Sequence, residues 1–67
     1  MTLKEKILFL TNTRGFTQQQ VSEETGIEQS SVSRILNDTQ KNIGYVKGVA
    51  LDAFVNREKA KLASKMA

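Results

Sequence analysis

Apolar residues in this chain return every third or fourth position, a spacing that lines one face of a helix and does not suit a strand. Leu3, Ile7 and Leu10 set the pattern, and Val32 and Ile35 repeat it. No proline interrupts it, and glycine stands only at positions 15, 26, 44 and 48. With 67 residues there is room for one domain. A domain of this size buries only about 60% of the surface its unfolded chain exposes, so its stability is expected to be marginal. The expectation is an all-α protein, a compact four- to five-helix bundle.

Polar residues punctuate the pattern. Thr2 and Glu5 form a Thr-x-x-Glu capping box, which predicts a first helix from Thr2 that ends at Gly15. Thr17 and Gln20 repeat the device for a second helix, which runs to about Thr25 and is stopped by Gly26. A third helix is expected from Gln29 to the turn-forming cluster Asn37-Asp38-Thr39. Asn42 is the candidate cap of a fourth, with Val46, Val49, Ala50 and Ala53 facing inward. Asn56 is the candidate cap of a fifth, with Leu62 and Met66 on one side; the alternative is a single bent helix from Ile43 to Lys65.

Composition removes several function classes. There is no cysteine and no histidine, so disulfides, thiolate metal sites and Cys or His nucleophiles are excluded, and a reducing cytoplasm is the expected compartment. The apolar run Ile7 to Leu10 is far too short for a signal peptide or a membrane span. Glu23 and Glu24 are adjacent and point in different directions, no glycine-rich phosphate loop occurs, and no metal-ligand spacing occurs. Neither an enzyme nor a cofactor is expected, and no room remains for a small-molecule ligand domain. The net charge is +3. Up to Ile43 the acids balance the bases; the excess falls after Gly44, in Lys47, Arg57, Lys59, Lys61 and Lys65 against Asp52 and Glu58. A basic excess suits a polyanionic partner.

The informative stretch is QQQVSEETGIEQSSVSRILN, residues 18 to 37. Two short helices separated by a glycine, with Val21, Ile27, Val32 and Ile35 apolar, describe a helix-turn-helix. Val21 is expected to pack on Val32 and Ile35, Ile27 to fill the corner, and Gly26 to permit a turn too tight for a Cβ. The other face of the third helix is then free of core duty. It carries Gln29, Ser30, Ser33 and Arg34, a hydrogen-bonding surface about as wide as a DNA major groove admits.

The segment resembles the DNA-binding helix-turn-helix of the lambdoid phage repressor and Cro family. The resemblance rests on Thr17-Gln18, Val21, Gly26-Ile27, Gln29-Ser30, Val32, Ile35 and Asn37, with the lead-in Arg14-Gly15-Phe16-Thr17, and covers residues 3 to 55. It implies a lambda repressor-like DNA-binding domain over residues 1–55; residues 56–67, beyond the resemblance, are read as a basic C-terminal helix or tail and a candidate dimerisation element. It further implies that Gln29 reads an adenine through its amide, with Ser30 and Ser33 beside it on the groove side. Arg34 stands where the family varies operator preference, and an arginine there suits a guanine. Gln18 and Asn37 correspond to phosphate contacts, and Thr17 and Lys41 join them. Asn42 and Tyr45 lie where the family's next loop and helix pass along the DNA backbone. Three positions depart from the pattern. Ser22 replaces an alanine and needs a helical carbonyl for its hydroxyl if buried. Thr25 replaces a larger aliphatic, and Glu28 puts an acid before the reading helix, where it would repel a nearby phosphate.

The expected function is that of a small phage or prophage regulator of transcription, a repressor, bound to double-stranded DNA at a near-palindromic operator as a homodimer that is weak off DNA. The competing reading is a helical protein-interaction module, antitoxin-like or adaptor, which an exposed apolar stripe on the third helix would favour. Leu8, Phe9, Leu51 and Phe54 are left over once a four-helix core is filled. Leu62 and Met66 join them if the last helix stands apart, and the dimer interface is assigned to Phe54 with Leu62 and Met66, or else to Leu8 and Phe9.

Overall fold

The computed structural model describes the backbone of residues 1–66 and the side chains of residues 1–64. Four α-helices follow one another: α1 (Leu3–Leu8), α2 (Gln18–Thr25), α3 (Gln29–Leu36) and α4 (Tyr45–Met66), with no strand among the described residues.

Both capping boxes form. The Glu5 amide donates to the Thr2 hydroxyl at 3.1 Å while Glu5 Oε1 accepts from the Thr2 amide at 2.9 Å. The Gln20 amide and Thr17 hydroxyl meet at 3.0 Å, and the Thr17 amide donates to Gln20 Oε1 at 2.8 Å. Each box satisfies two backbone donors that a helix start otherwise leaves open. At its other end α1 widens into a π-helical segment, Phe9–Thr13, where the Arg14 amide reaches back to the Phe9 carbonyl at 3.1 Å. Gly15, at φ +78°, then releases the chain toward α2.

Between α2 and α3 lies a three-residue turn, Gly26 to Glu28. Gly26 closes α2 at φ +76°, the left-handed conformation that favours glycine. A Cβ built there meets nothing within 4 Å, so the turn demands this backbone angle and not the space expected from the sequence. Two hydroxyls brace the corner. Ser22 donates to the Ile27 carbonyl at 2.5 Å, across the turn and not back along its own helix. Buried Thr25 donates to the Val21 carbonyl at 2.7 Å and accepts from the Ile27 amide at 3.2 Å. Both departures from the family pattern thus find partners.

The core consists of Ile7, Leu10, Val21, Ile27, Val32, Ile35, Leu51, Phe54 and Val55, with Leu3, Phe9, Phe16, Leu36 and Ile43 packed at its edge. Val21, Ile27, Val32 and Ile35 are buried as their spacing requires. Of the two readings of the last third of the chain the structure takes the single helix, while the expected caps and inward face are corrected. Residues 45 to 66 form one helix, so Asn56 caps nothing and sits exposed within α4. Nor does Asn42 cap α4, whose first turn closes from the Gly48 amide to the Gly44 carbonyl at 2.9 Å. The inward face is Leu51, Phe54, Val55 and Glu58, while Val46 is 79% exposed, Val49 50% and Ala53 exposed. Leucine and phenylalanine bury more apolar area than valine and alanine, which decides which stripe turns inward. With Phe54 in the core, edge-on to Phe16 at a ring separation of 5.0 Å, it is not available to an interface. Leu62 is half-buried, as are Leu8 and Phe9, and the Met66 side chain lies outside the described residues.

Candidate nucleic-acid interface

The reading residues assigned to α3 share its outward side. At roughly 100° per residue, Gln29, Ser30, Ser33, Arg34 and Asn37 span an arc of roughly 140° centred opposite Val32 and Ile35. Gln29, Ser30, Arg34 and Asn37 are exposed and Ser33 is half-buried. The inward side of the helix explains this: Val32 and Ile35 are both fully buried, and they fix the rotation of the helix about its axis. Three serines weaken helix propensity, so packing and not propensity holds α3 in place.

Arg34 is held to one side. Its Nε donates to Gln40 Oε1 at 3.1 Å and one terminal nitrogen to the Ser31 hydroxyl at 3.2 Å. Gln40 in turn donates to the Asn42 carbonyl at 2.9 Å, so one chain of hydrogen bonds links α3 to the loop before α4. A guanidinium has five donor hydrogens, and this arrangement leaves others free. The loop is pinned at its other end too. Asp38 adopts φ +63°, which aspartate tolerates better than most residues, and pairs with Lys4 of α1 at 2.8 Å. That hydrogen bond and the Lys4 charge hold the Asp38 carboxyl below its ordinary range.

The residues assigned to phosphate contact lie at the start of α2, at the end of α3 and in the loop after it. Gln18 opens α2 and is exposed, Thr17 caps it, Asn37 closes α3, and Lys41 lies exposed in the loop. Thr17 is engaged as a cap, so its hydroxyl is the least free of the four. Glu28, immediately before α3, makes no side-chain capping bond and stays exposed. Among the described residues Arg34, Lys41, Lys47 and Lys59 have no carboxylate partner, whereas Lys4, Lys6, Arg14, Arg57 and Lys61 are all paired. The free cations therefore include Arg34, on the outward side of α3, and Lys41, in the loop that follows it.

Two residues escaped the sequence reading. Gln40 positions Arg34, and nothing in the apolar pattern marks it. Glu58, 1% exposed, is the acid at the centre of a basic cluster. Its signal was present, because it lies seven residues after Leu51 and continues the inward stripe of α4. Among the described residues no group of acids suits a metal ion, and no helix is long and apolar enough to cross a membrane. Comparison with family models, with curated proteins and with solved structures finds no match to this chain.

Proposed function

We propose that this chain is a sequence-specific double-stranded DNA-binding regulator of transcription, a small Cro- or repressor-type protein in which α2, its turn and α3 act as a helix-turn-helix. The observation that carries this reading is the division of α3: Val32 and Ile35 serve the core, and Gln29, Ser30, Ser33 and Arg34 face outward with no structural duty except Arg34's tether. Amide, hydroxyl and guanidinium groups are the donors and acceptors that base edges in a major groove pair with. Gln18, Asn37 and Lys41 flank that face, with Thr17 at the start of α2, and hold the backbone phosphates. The protein works in the cytoplasm, without cofactor or catalysis, as a dimer that forms largely on DNA. α3 exposes no large apolar residue, which disfavours a protein-docking module built on that helix.

A site selection on random duplex DNA, followed by point variants, tests the reading. Gln29→Ala or Arg34→Ala costs about 1–3 kcal/mol of binding and relaxes preference at particular base pairs. Gln18→Ala or Asn37→Ala weakens every sequence alike, since phosphates carry no base identity. Unchanged sequence preference in Arg34→Ala contradicts α3 as the reader.

A further inference from the structure

The outward face of α4 carries a second pattern, independent of the core. Val46, Val49, Ala53, Asn56, Ala60 and Ala63 follow in alternating steps of three and four, and all six are exposed. That is the spacing of the buried seam between two supercoiled helices. Beside it Tyr45 is 86% exposed, and with Val46 at 79% and Val49 at 50% it leaves a cluster of large apolar groups in water. No charged residue occupies a seam position, while Asp52 and Lys59 lie along one flank, seven residues apart.

We propose that this face is a self-association surface, on which α4 of a second copy packs antiparallel about a two-fold axis. The arrangement deepens the dimer reading above, and it is independent of DNA binding because it is read on the free protein. Two features select this occupant. First, an antiparallel pairing centred on Ala53 and Asn56 sets Val46 against the partner's Ala63 and Val49 against the partner's Ala60. Large residues then meet small ones, and the helices approach closely at every layer. Second, the same register brings Lys59 beside the partner's Asp52, and Asp52 beside the partner's Lys59. Lys59 has no carboxylate partner among the described residues, and Asp52, though paired with Lys6, keeps 54% of its side chain exposed. A parallel pairing instead turns Lys59 toward the partner's Ser64 and calls on Arg57, which already reaches Glu24 at 3.3 Å, Glu58 at 3.6 Å and the Phe54 ring at 4.8 Å. The α4 helix of 22 residues is about 33 Å long, enough for the whole seam. Four of the six seam positions are alanine or asparagine, so the association is weak.

Sedimentation equilibrium of the free 67-residue chain tests the proposal. The wild type shows a concentration-dependent monomer–dimer equilibrium. Asp52→Lys or Lys59→Asp alone weakens it on the order of tenfold, since two-fold symmetry turns two attractions into two repulsions. The double variant restores it. Val49→Glu, at an exposed position that leaves the helical circular dichroism unchanged, abolishes it. The chain has no cysteine, so disulfide trapping reports orientation directly. Mixed Val46→Cys and Ala63→Cys chains cross-link to each other, whereas Val49→Cys does not cross-link to itself. A monomer at all concentrations, no rescue in the double charge swap, or self-linking of Val49→Cys overturns the antiparallel interface and leaves the DNA reading to its own test.

Discussion

Arg14, where the first helical segment ends, donates through Nε to Oε1 of Glu58 in α4 at 3.0 Å, joining positions 44 residues apart. Lys61 approaches the other carboxylate oxygen at 3.1 Å and Arg57 at 3.6 Å, so three cations enclose one nearly buried acid. Beside them Phe16 and Phe54 meet edge to face, and Arg57 lies over the Phe54 ring. The cluster locks α4 against the junction of α1 and α2, which sets the frame on which α3 is presented.

Burial pushes the Glu58 carboxyl up, but the hydrogen bond from Arg14 and the pairing with Lys61 outweigh it and hold the group below its ordinary range. A carboxylate whose folded pKa is depressed stabilises the fold fully above its unfolded pKa. That contribution is lost as pH falls through the lowered folded value. Glu58→Gln keeps the shape and removes the charge. Thermal melts are expected to show the variant less stable than wild type at pH 7, with the gap closing as pH falls below about 4. Glu5 and Asp38, also held low by their hydrogen bonds, steepen the acid limb of both proteins and cancel in the comparison. An equal gap at pH 7 and in acid contradicts the assignment.

The rotation of α4 makes a sharper prediction. Leu51→Ala removes a fully buried side chain and is expected to cost about 2–5 kcal/mol in urea titrations. Against a total stability on the order of 5 kcal/mol, that leaves the chain largely unfolded. At concentrations where the chain is monomeric, Val46→Ala, at a position in water, changes stability by less than about 0.5 kcal/mol. The reverse order returns Val46 to the core and refutes the observed face.

Two glycines respond oppositely to alanine. Gly26→Ala forces a side chain into the left-handed region and costs roughly 1–2 kcal/mol, although nothing crowds it. Gly48→Ala lies within α4, where an added Cβ also meets nothing, and gains about 1 kcal/mol from helix propensity. Melting temperatures of the two variants on either side of wild type are the expected result; a stabilised Gly26→Ala contradicts the turn geometry.

What could be read from the residues alone follows how local each signal is. The boxes Thr2/Glu5 and Thr17/Gln20 act within one helical turn, so their residue types suffice to place the starts of α1 and α2. Gly26 likewise marks its turn by its own backbone angle, although the reason is conformation and not crowding. Val21, Ile27 and Val32 have no apolar neighbour in sequence, and Ile35 has only Leu36, leaving one face that can turn inward. In α4, by contrast, Val46, Val49, Ala50 and Ala53 compete with Leu51, Phe54 and Val55 for the same role. The choice rests on which stripe buries more apolar side chain, with Leu51 and Phe54 outweighing valine and alanine, and spacing alone does not weigh size. The tether from Arg34 to Gln40 was equally hidden, since it depends on how the loop folds back.

The central claim is that the α3 face, with its flanking cations, binds duplex DNA. Titrating a fluorescent operator-bearing duplex at two salt concentrations measures it most directly. Each neutralised phosphate releases condensed counterions, so affinity is expected to fall steeply with salt, the logarithmic slope growing by about 0.9 per phosphate contacted. Lys41→Ala lowers that slope by about one while leaving sequence preference unchanged. No binding at low salt, or an affinity indifferent to salt, contradicts the account.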